Sequence, residues 1–115
     1  MMLAWTGYLS DAETKEPLFG LGTIRNIPGI EDHLEHVSGY GYPSRYRGTA
    51  GALADWVRTL ESRQFHPTLL RTPVDEEHPN GHRVAEPDEA RDRVLAQTEA
   101  LDPERHITLD LWDES

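Results

Sequence analysis

Three stretches of this chain hold side chains whose types and spacing could do chemistry. Residues 39–48 read Gly-Tyr-Gly-Tyr-Pro-Ser-Arg-Tyr-Arg-Gly. Tyr40, Tyr42 and Tyr46 are rigid amphipathic rings, and Arg45 and Arg47 are planar donors. Such residues give contact area and hydrogen bonds at low entropy cost, which is why they recur at binding hot spots. The plainer reading is a surface loop whose rings fold back onto the core. The second stretch is acidic: Asp75, Glu76 and Glu77, followed by Glu86, Asp88 and Glu89. If the loop between them folds back beside the start of a helix, six carboxylates share one edge. That edge could steer a basic protein, or mimic a phosphate backbone inside a nucleic-acid-binding cleft. Its plainer reading is a solvated face that maintains solubility.

The third set is histidine. His33 and His36 stand at i, i+3 on an expected helix, and His78 and His82 flank a Pro-Asn-Gly turn. Zinc or nickel takes such ligands. The two pairs lie far apart in sequence and no HExxH pattern is present, so solvated or capping histidines are expected, with no metal site. Nucleophile-elbow, P-loop and dinucleotide-binding patterns are absent, and Gly20-Leu21-Gly22 is too short to count. Asp110, on an expected strand, could be a buried acid near Trp112, but it reads more simply as an exposed strand residue. No catalytic residue and no cofactor are expected.

Charge decides more than any motif. The 115 residues carry a formal charge of -10. Residues 1–71 hold eight acids against seven bases, whereas residues 72–115 hold thirteen against four. A field so one-sided repels nucleic acid and anionic membranes and attracts basic partners. The chain has no cysteine, which excludes disulfides, thiolate zinc sites and thiol catalysis. Its N-terminus lacks both a basic region and a long apolar run, so neither a signal peptide nor a membrane span is expected. A cytoplasmic, single-domain protein over 1–115 is the expectation.

The elements that must position these residues follow from periodicity. Residues 3–9 and 18–25 read as a strand pair, with Gly20 and Gly22 marking a bulge or a close backbone approach. A short helix is expected after Pro28, on the stripe Ile30, Leu34 and Val37. The clearest helix spans about 49–63. Leu53, Trp56, Val57 and Leu60 form its apolar face, and Thr49 is its N-cap. A third strand is expected over 65–71, then a polar hairpin or loop over 73–86. A helix over 87–101 begins at Pro87, with Ala90, Val94 and Leu101 inward and Leu95 at the flank. The last strand, 106–112, alternates Ile107, Leu109 and Leu111 inward with Thr108, Asp110 and Trp112 outward. The order β-β-α-α-β-α-β predicts an α+β fold: one small sheet of about four strands covered by about three helices. The last two strands would run parallel if they were neighbours.

Residues 46–56, Tyr-Arg-Gly-Thr-Ala-Gly-Ala-Leu-Ala-Asp-Trp, resemble the ribonuclease-inhibitor segment of the barstar family, in which a Tyr-Gly loop opens a helix bearing Asp and Trp in a small acidic α/β protein. The likeness covers about a tenth of the chain. It departs at Ala52, where that family has an acid, and in the order Asp55-Trp56. It implies that an acidic domain of this size can serve as a protein inhibitor.

The residues therefore point first to a non-catalytic acidic domain that binds a basic protein, most concretely an immunity protein or an inhibitor of a toxin or nuclease. Its expected contacts are Tyr40, Tyr42, Arg45, Tyr46, Asp55, Asp75, Glu76, Glu77, Asp88 and Glu89. A second reading is a small enzyme or ligand binder with a pocket between sheet and helices, lined by Trp5, Tyr8, Tyr40 or Trp112. A third is a homo-oligomeric assembly subunit joined through an exposed strand edge.

Overall fold

The computed structural model describes residues 4–27, 29–39 and 43–114. Among these residues it is α+β, with seven strands and two α-helices. Five strands form one antiparallel sheet: β1 (Ala4–Asp11), β2 (Pro17–Arg25), β3 (Glu35–Ser38), β4 (Ser44–Thr49) and β7 (His106–Asp113), in the order β2-β1-β7-β4-β3. A separate antiparallel hairpin joins β5 (Thr68–Arg71) to β6 (His82–Ala85). The helices are α1 (Ala50–Thr59) and α2 (Pro87–Glu99).

The C-terminal strand is the spine. β7 pairs with β1 on one side and β4 on the other. Its alternation places Ile107, Leu109 and Leu111 wholly out of solvent. Leu109 lies opposite Leu9 on one neighbour and Tyr46 on the other, which makes a continuous apolar row on the helix-facing side. Leu53, Trp56 and Val57 of α1 close over that core, also at zero exposure. The N-cap is as expected: the Thr49 hydroxyl accepts from the Ala52 amide at 3.2 Å. α2 presents the narrower stripe Ala90, Val94 and Thr98 at i, i+4, i+8. Buried Thr98 keeps its hydroxyl satisfied by donating to the Val94 carbonyl at 2.7 Å. Arg91 joins the helices, donating from Nε to the Leu60 carbonyl at 2.8 Å, where α1 has run out of amide partners.

The bulge expected near Gly20 and Gly22 is present. Gly7 lies opposite Gly22 but Tyr8 opposite Gly20, so Leu21 is an extra residue and turns into the core. Gly22 has φ +71, in the left-handed region that glycine reaches without a Cβ penalty.

Three expectations need correction. The helix after Pro28 is only one 3₁₀ turn, Ile30–Asp32, followed by β3. Ile30 and Leu34 are buried as the stripe requires, yet Val37 is exposed, at a register shift between β3 and β4. Residues 44–48, expected within the loop over 39–48, belong to β4, which runs on to the N-cap Thr49. The alternation of Ser44, Tyr46 and Gly48 with Arg45, Arg47 and Thr49 is a strand pattern in which small residues stand in for apolar ones. The last two expected strands are not parallel neighbours. β5 pairs with β6, and β7 lies between two antiparallel partners. The sheet therefore has five strands, with a hairpin beside it, and two α-helices cover it instead of three.

Candidate functional site

Both helices lie on one face of the sheet, and the other is open. Across its middle run Tyr8 of β1, Asp110 of β7 and Arg45 of β4 in register. Arg45 holds Asp110 with both arms of its guanidinium, Nε to Oδ1 at 2.8 Å and Nη2 to Oδ2 at 3.0 Å. This fork geometry raises the Arg45 pKa, first through the hydrogen bond and then through the opposite charge. Tyr8 and Trp112 remain 55% and 41% exposed. Neither lines a pocket between sheet and helices, because both point away from the helices, and Trp5 packs half-buried against the core. Tyr46, expected at a contact, is on the inner face at 6% exposure, with its ring 5.1 Å from that of His36. It belongs to the core. Tyr40 and Tyr42 lie outside the described residues.

The acidic residues divide into two groups. Asp75 is used locally, accepting from the His78 amide at 2.6 Å and so bracing the turn that carries Glu76 and Glu77. This turn is the tip of the β5–β6 hairpin. Glu86, Asp88 and Glu89 stand at its other end, where β6 runs into α2. Four strand residues, roughly 13 Å at 3.3–3.4 Å each, separate the groups, so the six carboxylates do not share one edge. Glu89 is committed to Arg83 through a second fork, with Nη1–Oε1 at 2.9 Å and Nη2–Oε2 at 2.6 Å. The hydrogen bond from Arg83 lowers the Glu89 pKa and correspondingly raises that of Arg83. Among the described residues, Glu76, Glu77, Glu86 and Asp88 are exposed and have no ion-pair partner.

Sequence reasoning missed what lies between these groups. Leu69 and Val84 face each other across the hairpin and are 64% and 53% exposed; Val74, at the start of the tip, is 76% exposed. Arg71 and His82 form the adjoining exposed pair. The opposite side of the hairpin turns inward, with Ala85 fully buried and Thr68 and Leu70 facing β2 and α2. Three of the six exposed large apolar side chains among the described residues therefore lie on this one hairpin. A solvated two-stranded ribbon gains little by placing Leu opposite Val on its wet side. The signal available in sequence was Leu69-Leu70, a doublet that puts one leucine on each face of any strand.

Asp55 is exposed on α1 and accepts from Arg58 Nη1 at 2.6 Å. No three His, Asp or Glu side chains among the described residues gather closely enough to hold a metal ion. Among the described residues, no helix is long and apolar enough to cross a membrane.

Comparison with protein-family models, with curated proteins and with solved structures finds no match. Residues 46–56, with their likeness to the barstar family, are here a strand running directly into a helix, with Trp56 in the core and Asp55 at the surface.

Proposed function

We propose that this protein is a non-catalytic interaction domain that binds a basic protein, in the manner of an immunity protein or inhibitor of a toxin or nuclease, and that the β5–β6 hairpin is its principal contact. One observation carries the reading. An exposed apolar pair, Leu69 and Val84, is bracketed at both ends of the hairpin by unpaired carboxylates: Glu76 and Glu77 at the tip, Glu86 and Asp88 at the start of α2. An apolar centre within a charged rim is how protein contacts are organised. The rim here is negative on balance, with Glu76, Glu77, Glu86 and Asp88 against the exposed Arg71, and so is the whole C-terminal part of the chain. The carboxylates would raise the encounter rate with a basic surface, and Leu69, Val74 and Val84 would supply the area that holds it. Asp75 and Glu89 act as braces, through the tip turn and the Arg83 fork. Asp55 and Arg45 contribute from other faces, Asp55 from α1 and Arg45 from the open sheet.

The experiment is capture from the source lysate with the tagged domain, washed at low and at high salt and read by mass spectrometry, run beside a Leu69→Ser/Val84→Ser variant. A basic protein retained at low salt, weakened at high salt and lost from the variant is the expected result. Retention indifferent to both changes would remove the hairpin from the account. The same apolar pair also suits a second copy of the chain. A solution mass that rises with concentration in wild type but not in the variant would favour that homo-oligomeric reading.

A further inference from the structure

One side of α1, from Ala50 to Arg58, the last turn of α2 and the chain that follows wall a cleft of about 370 Å³. That volume lies within the range of pockets that hold small ligands. Its α1 side is made of the small residues Ala50, Gly51 and Ala54, and Leu101 and Pro103 come from the segment after α2. Gly51 is what lets that segment come close. Its amide donates to the Pro103 carbonyl at 2.9 Å, and a Cβ at this position would stand 3.1 Å from the same oxygen. Thr98 also lines the cleft, with its hydroxyl already given to Val94.

The rim is charged. Asp55 and Glu99 share one cation, Arg58, with Nη1 at 2.6 Å from Asp55 and Nη2 at 3.7 Å from Glu99. Two carboxylates around one guanidinium leave one negative charge over an apolar floor. An anion is repelled there, and a neutral apolar ligand leaves the charge unused. A cation on an apolar stem satisfies both.

We infer that this cleft is a second contact, one that receives a lysine side chain of the basic partner, its alkyl stem on Ala50, Ala54 and Leu101 and its ammonium beside Arg58, on the remaining carboxylate oxygens of Asp55 and Glu99. The occupant rests on the reading of a basic partner given above; the cleft does not. A compact ammonium can share two carboxylates with Arg58 without needing its fork geometry. An anchor side chain seated in a preformed pocket is a recurrent source of interface affinity.

The test uses pentylammonium chloride as the probe, followed by ¹H–¹⁵N NMR on the full chain, with sodium pentanoate and pentan-1-ol as controls. The expected result is saturable, millimolar shifts at the amides of Ala50, Gly51, Ala54 and Thr98 with pentylammonium and none that saturate with pentanoate. Asp55→Asn with Glu99→Gln should weaken binding about tenfold, and Ala54→Leu, which fills the floor, should abolish it while the rest of the spectrum stays dispersed. Shifts that do not saturate, or that appear equally at Glu76 and Glu77, would overturn the site. Capture of the basic partner separates this inference from the reading beneath it. Undiminished capture by Ala54→Leu overturns the lysine as occupant and leaves the hairpin reading standing. Failure of wild type to capture any basic protein removes that reading, and the lysine with it.

Discussion

The body of the molecule and its hairpin use the same residue types in opposite ways. On β7, Ile107, Leu109 and Leu111 alternate with polar residues and lose all their solvent exposure beneath α1. On β5 and β6, Leu69 and Val84 pair across the strands and stay mostly in water. Burial of a large aliphatic or aromatic side chain is worth about 1.5–3 kcal/mol, so the sheet and α1 hold most of what keeps the chain folded. The hairpin adds little of that kind, being attached through its inner residues and the Arg83–Glu89 fork. The contrast separates the part of the chain that folding buries from the part to which the proposed function assigns contact.

The sharpest way to break this contrast is to damage each region in turn. Trp56→Ala removes a side chain with zero exposure from the centre of the core. It should cost about 3–5 kcal/mol in urea unfolding, enough to leave a marginal fold or none. Thr49→Ala removes the α1 cap and should cost about 1 kcal/mol. Leu69→Ser/Val84→Ser should change stability by no more than about 0.5 kcal/mol per site, because neither side chain is buried. A loss comparable to that of Trp56→Ala would show that the hairpin is structural and that its exposed pair is covered in solution.

An acid titration sharpens the comparison from the side of the body. Asp11 closes the β1–β2 turn, accepting from the Thr14 and Glu13 amides at 2.8 Å each, and also from Arg105 Nε at 2.9 Å, which ties the turn to the chain entering β7. The hydrogen bond from Thr14, then those from Arg105 and Glu13, lower its pKa from 3.8 to about 2. A carboxylate with a depressed folded pKa stabilises above its unfolded value and loses that contribution as pH falls through the folded one. Stability should therefore decline between about pH 3.8 and 2, and Asp11→Asn should flatten that limb. An unchanged acid limb in Asp11→Asn would assign the decline to other carboxylates.

Much of the body was legible in sequence because period decides it. The alternation over 106–112 and the i, i+3, i+4, i+7 pattern of Leu53, Trp56, Val57 and Leu60 each have one structural solution. The segment around Leu34 was misread because Ile30, Leu34 and Val37 also satisfy a helical period; what makes residues 35–38 a strand is pairing with β4, a tertiary fact. β4 itself was hidden because its inward positions are Ser44, Tyr46 and Gly48, of which only one is apolar and large. At the candidate site the carboxylates were visible and their partners were not. That Glu89 is taken by Arg83, and that Leu69 and Val84 share the wet face between the acidic groups, depends on the register of β5 against β6. Composition does not carry that register.

The most direct test of the account is the association rate of the captured basic partner, followed by stopped-flow across ionic strength for wild type and for a variant carrying Glu76→Gln, Glu77→Gln, Glu86→Gln and Asp88→Asn. Steering through the hairpin predicts a rate that falls steeply with salt in wild type and starts lower, with a much shallower slope, in the variant. Equal slopes in the two proteins would contradict it, and would mean that the partner approaches by a surface to which these carboxylates do not belong.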